Sequence, residues 1–140
     1  MAAVSTNDRL QLLAEFRHQL RLFLQFSETA AVDAGLQPQQ HQLLLQVAGA
    51  PRGTAPSIGY VAARLGLRHN TAVELCNRCE EAGLIVRKIG SPDRRCVVLA
   101  LTPQGRAILD SLSEHHAQEL NDRAPQLIRT LTNLRKIHEI

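Results

Sequence analysis

The side chains able to do chemistry fall into three groups. Arg94 and Arg95 follow Gly90-Ser91-Pro92-Asp93 between two apolar runs. Paired guanidinium groups on such a turn suit phosphate or the electronegative floor of a nucleic-acid minor groove. Cys76 and Cys79 form a Cys-x-x-Cys, a spacing shared by redox pairs and zinc sites. His18, His41, His115 and His116 are imidazoles that could hold an anion or a metal if the segments carrying them converge.

Position narrows these options. Both cysteines lie inside a helical pattern, and no further ligands follow at metal-site spacing, so they are expected in the core and no metal site is expected. With Cys96 the thiols number three and form no disulfide framework, which fits a reducing compartment. There is no glycine-rich phosphate loop, nucleophile elbow or carboxylate pair in a shaped setting, so neither an enzyme nor a cofactor is expected. With no apolar run of about 18 residues and no cleavable apolar leader, the expectation is a cytoplasmic protein without a membrane partner.

The elements that must position these groups are mainly helical. Leu13, Phe16, Leu20, Phe23 and Ala30 recur at steps of three and four from Asp8 to about Ala34, predicting a long helix capped by Asn7 or Asp8 and ended by Gly35. Its apolar stripe is wider than one short neighbour covers, so part of it is expected against a second subunit. Pro38 opens a second helix with Leu43, Leu44, Leu45, Val47 and Ala48 inside. Ser57 caps a third helix with Ile58, Val61, Ala62 and Leu65 inward and Gly66 as its stop. A fourth runs from His69 or Asn70 to Ala82, before Gly83. Residues 84–89 and 96–101 predict two strands. Thr102-Pro103 restarts a helix with Ile108, Leu112, His115 or His116 and Leu120 on its apolar face, and Pro125 is expected to separate it from a last helix carrying Leu127, Ile128, Leu131, Leu134 and Ile137.

The chain has 140 residues and a net charge of +3, which excludes little. Resolved along the chain, residues 52–95 carry +4, residues 1–51 carry −1 and residues 96–140 are neutral. A basic middle third that reads as two short helices, a tight turn and an arginine-tipped hairpin makes a helix-turn-helix with a wing. A helix fits the major groove, whereas a basic loop reaches the minor groove. The fold class is therefore mainly α with a small β-hairpin wing.

From Ser57 to Leu109, and above all in EEAGLI, SPDRR and LTPQGR, the chain resembles the MarR-type winged-helix transcriptional regulators of bacteria and archaea. The resemblance implies a single domain over 1–140, with a DNA-binding region at 38–101 and dimerisation helices at 7–34 and 102–140. It implies a homodimer on a pseudo-palindromic operator in double-stranded DNA, usually a repressor released by a small-molecule effector. It places base reading on Arg68, His69, Asn70, Thr71 and Glu74, with Arg78 at a phosphate or tethering the wing. Asn and His can bond base edges, Thr can offer its methyl to thymine, and a carboxylate can accept from cytosine. The wing motif falls on Asp93, Arg94 and Arg95, the aspartate orienting an arginine for the minor groove. Ser57 becomes a phosphate contact through its backbone N–H and hydroxyl. The family's effector crevice, lined by its first, second and fifth helices, would bring His18, His41, His115 and His116 toward a ligand.

Blander assignments stand beside these. Glu74 and Arg78 suit a solvated i,i+4 pair, and the wing tip suits a surface turn with scattered charge. An acidic Glu74 departs from the family pattern and, with Glu80 and Glu81, favours an alternative: a winged-helix module for protein interaction or architecture. A metal-responsive regulator using His41 or His116 is a third reading.

Overall fold

A computed structural model describes residues 5–89 and 97–138. Chain order is α1 (Thr6–Asp33), α2 (Pro38–Ala48), α3 (Ile58–Leu65), α4 (His69–Glu81), β1 (Ile85–Ile89), β2 (Val97–Leu101) and α5 (Pro103–His138). The chain divides into two compact units: residues 1–30 with 114–140, and residues 31–113.

The second unit holds the helix-turn-helix and the wing. Its core is built from Leu43, Leu44 and Val47 of α2, Val61 and Ala62 of α3, Ala72, Leu75, Cys76 and Cys79 of α4, and Leu84, Ile85 and Leu99 of the hairpin, joined by Leu109 and Leu112 of α5. Leu45, expected in this core, is 39% exposed. Three consecutive leucines cannot share one face of a helix, and the buried face of α2 is completed instead by Gln40 and His41. β1 and β2 pair antiparallel with Ile85 opposite Leu101 and Ile89 opposite Val97.

Thr102 joins the hairpin to α5. Its hydroxyl donates to the Gly83 carbonyl at 2.6 Å and accepts from the Gly105 N–H at 3.0 Å, and its own N–H donates to the Leu84 carbonyl at 3.0 Å. The cap predicted at Thr102 therefore also satisfies two carbonyls in the short link between α4 and β1. This draws α5 so close that a Cβ on Gly105 would sit 3.2 Å from the Leu84 Cα and closer still to its carbonyl oxygen.

In the first unit, α1 begins earlier than predicted. Ser5 is the cap: the Asp8 N–H donates to its Oγ at 3.1 Å, and the Asp8 carboxylate accepts from the Ser5 N–H at 3.3 Å. Asp8 is thus the far partner of a capping box. Pro125 does not divide the C-terminal segment, because α5 is one helix with the proline inside it. A proline in a helix interior removes a backbone bond and costs about 3 kcal/mol. Contacts to α1 lie on both sides of it. The His116 Nε2 lies 2.8 Å from Ser27 Oγ with its ring edge-on to Phe23 and Phe26, and Gln19 Nε2 donates to Thr130 Oγ1 at 3.3 Å.

Replacing Gly105 by Ala is expected to lower stability by about 2–3 kcal/mol in urea unfolding, overpacking outweighing the helix propensity gained. Gly59→Ala, whose Cβ would meet only Ser57 Oγ at 3.7 Å, is expected to raise it by roughly 0.5 kcal/mol.

Candidate nucleic-acid interface

The interface is built on the α3–α4 turn. The Tyr60 N–H donates to Ser57 Oγ at 3.0 Å, starting α3 as predicted and leaving the Ser57 hydroxyl proton for another acceptor. Gly66 ends α3 at φ +66, a left-handed conformation that a Cβ would strain. The Leu67 N–H closes back on the Ala62 carbonyl at 2.9 Å. Arg68 then takes the extended cap position of α4. With Ala72, Leu75, Cys76 and Cys79 buried, the same helix presents Arg68, His69, Asn70, Thr71 and Glu74 to solvent. The five predicted base-reading positions are thus brought together at one helix start.

The wing is fastened to this helix-turn-helix at two places that sequence reasoning did not find. The Leu99 N–H of β2 donates to the Pro56 carbonyl at 2.8 Å, just before the α3 cap. Arg87 of β1 donates to Asn77 Oδ1, and its Nε lies 3.6 Å from Glu80 Oε2. The alternation of β1 carried the only signal for the second contact, since Arg87 shares strand parity with buried Ile85. Asp93, Arg94 and Arg95 lie outside the described residues, as does Cys96.

Arg78 has a different setting from the wing. It lines an open groove of about 760 Å³ with Val32, Leu36, Gln37, Gln40 and Glu81. Among the described residues Glu74 and Arg78 form no ion pair with each other; the three ion pairs there are Arg87–Glu80, Arg106–Asp110 and Arg123–Glu119. Arg64 Nε donates to Gln46 Oε1 at 2.9 Å, tying α3 to α2. Arg52, Arg68 and Lys88 are exposed.

The four histidines have distinct surroundings. His41 is buried in α2 at 2% exposure, its Nδ1 3.4 Å from the Gln42 amide nitrogen. His116 lies among Ser27, Phe23 and Phe26, whereas His18 and His115 are exposed. Among the described residues no three His, Cys, Asp or Glu side chains gather as a metal-binding group. No helix of the described residues is long and apolar enough to cross a membrane.

Residues 34–95 match the model of the MarR family. A transcriptional regulatory protein named for the hcr operon of Thauera aromatica is 34% identical over 89 residues, covering 64% of this chain and 52% of that protein, so the match spans about half of the relative's length. Among solved structures, the chain is similar to CouR of Rhodococcus jostii bound to p-coumaroyl-CoA, with a TM-score of 0.67 and 25% identity over 82% of this chain and 79% of that one. A MarR family protein of Bacillus stearothermophilus has the same fold, with a TM-score of 0.74 and 20% identity over 98% and 97% of the two chains. So does the Mycobacterium tuberculosis regulator MOSR in complex with DNA, at 0.58 and 24% over 88% and 92%.

Burial raises both described thiols, and Cys79 is pushed up to about 12, first by loss of solvent and then by its neighbour Cys76. A thiol kept neutral in the fold but ordinary when unfolded contributes stability that is complete below the ordinary value of 9.0 and is lost as pH rises toward about 12. Urea unfolding of the chain is therefore expected to weaken between those limits, and Cys79→Ala to flatten that alkaline decline.

Proposed function

We propose that the chain, whose residues 34–95 match the MarR family model, is a DNA-binding transcriptional regulator of that family and not an enzyme, acting as a homodimeric repressor of a pseudo-palindromic operator. The observation carrying this reading is the two-faced α4. Its inner stripe is locked into the core while Arg68, His69, Asn70, Thr71 and Glu74 stand exposed beside a fastened wing. In this reading those five residues face the major groove. Asp93, Arg94 and Arg95 serve the minor groove, and Ser57 and Arg78 meet phosphate.

Exposed apolar side chains support the dimer. Leu10, Leu13 and Leu24 of α1 are 57%, 44% and 50% exposed, and Ile128 and Leu131 of α5 are 61% and 45% exposed. Large apolar side chains in runs on two helices favour burial against a second copy. The likeness to CouR with its bound acyl-CoA supports a small organic effector that releases DNA, and His18, His41, His115 and His116 are the proposed ligand-facing residues. The pairing of Glu80 with Arg87 weakens the protein-interaction alternative, since that carboxylate has an internal partner.

Mobility shifts on genomic fragments test the reading. Binding is expected at low salt and to fall steeply as salt rises, in proportion to the phosphates neutralised. Asn70→Ala is expected to cost about 1–3 kcal/mol and relax sequence preference at one position, whereas Arg95→Ala weakens all duplexes. Sedimentation at micromolar concentration is expected to give twice the chain mass. A chain that is monomeric or indifferent to duplex DNA at low salt would sink the proposal.

A further inference from the structure

Arg87 is a basic residue of the wing that holds none of the DNA-facing roles assigned above. Its register opposite Leu99 puts it on the core side of the hairpin, with Ile85 and Leu99 each 1% exposed on that side. A cationic side chain leaving a strand on that side must find polar partners at the edge of the core. Asn77 Oδ1 and Glu80 Oε2, three residues apart on α4, are those partners. Asn77 follows Asn70 by seven residues, so it continues the same line along the helix about 10 Å further on. The wing is therefore anchored to the stripe of α4 that begins at the proposed base-reading end.

We propose that Arg87 is a positioning residue: clasped by Asn77 and Glu80, it fixes the spacing between the wing and α4 and so selects among DNA sequences, without itself meeting phosphate. This rests on the DNA-binding reading above. The two elements address different grooves, so their relative placement is itself a selection. A two-stranded hairpin is weakly determined alone, and the planar fork of a guanidinium engages two acceptors at once, which an ammonium does less well. The paired side chains are 32% and 45% exposed, a setting in which an ion pair adds little to folding stability. The consequence of breaking it belongs to DNA selection.

The test uses the full chain and two probes: the tightest duplex it selects from a randomised pool, and a scrambled duplex of equal length. Arg87→Ala and Glu80→Gln are each expected to weaken the selected duplex by about fivefold, the upper range for an exposed pair. Affinity for the scrambled duplex, the salt slope and the urea midpoint should stay unchanged. Arg87→Lys is expected to recover part of the loss, and Arg87→Glu combined with Glu80→Arg most of it. Glu80→Gln is decisive, because removing a negative charge strengthens binding to every duplex if charge alone matters. Tighter binding by Glu80→Gln overturns the proposal. So does an equal loss on both duplexes with a salt slope reduced by about one per Arg87 removed, or a urea midpoint falling in step with affinity. Unaltered selection in every variant also overturns the clasp alone. Failure of the unaltered chain to enrich any duplex overturns the DNA-binding reading beneath it.

Discussion

The second unit depends on how α4 is held. Ala72, Leu75, Cys76 and Cys79 are each at most 3% exposed, so one stripe of the helix is surrounded by α2, α3 and the hairpin. Rotating the helix by a single residue would pull those four side chains out of the core, and interiors packed at this density do not deform gradually. The orientation of Arg68 through Glu74 is thereby settled by residues that never meet solvent. The same constraint governs the surroundings: the left-handed Gly66 sets where α4 begins, and the Thr102 hydroxyl, bonded to the Gly83 carbonyl, holds the segment just beyond where it ends.

How much of this could be read from the chain follows the range of each signal. The Ser57 cap, the Gly66 stop, the Pro38 start and the Thr102-Pro103 restart are local, and each stands where its residue type places it. The pairing of the two strands is equally local, because two β-branched runs flank a stretch of turn-type residues in the sequence. Pro125 shows where local reasoning gives out. Propensity argues for a break there, while α5 runs on as one helix whose contacts at Ser27 and Gln19 come from residues about a hundred positions away. Leu45 is a milder case, its apolar character saying nothing about which of three adjacent leucines faces out.

The interface divides in the same manner. Its exposed positions on α4 follow from helical periodicity, since burying one stripe presents the others. The fastening of the wing does not, because it needs the strand register and the proximity of β1 to α4 together. A charge count over residues 52–95 sets Glu80 against Arg87 only as a sum and does not show that the two side chains are partners in the fold.

On the proposed DNA-binding reading, that pairing bears on how the protein would locate its sites among a great excess of other DNA. Every cation aimed at phosphate tightens the hold on all sequences alike and lengthens the time lost on irrelevant ones. A guanidinium paired with a carboxylate of its own chain adds little to that indiscriminate attraction. On the proposed DNA-binding reading, a net charge of only +3 would suit rapid release from the wrong places, with residence time concentrated where shape and base edges agree.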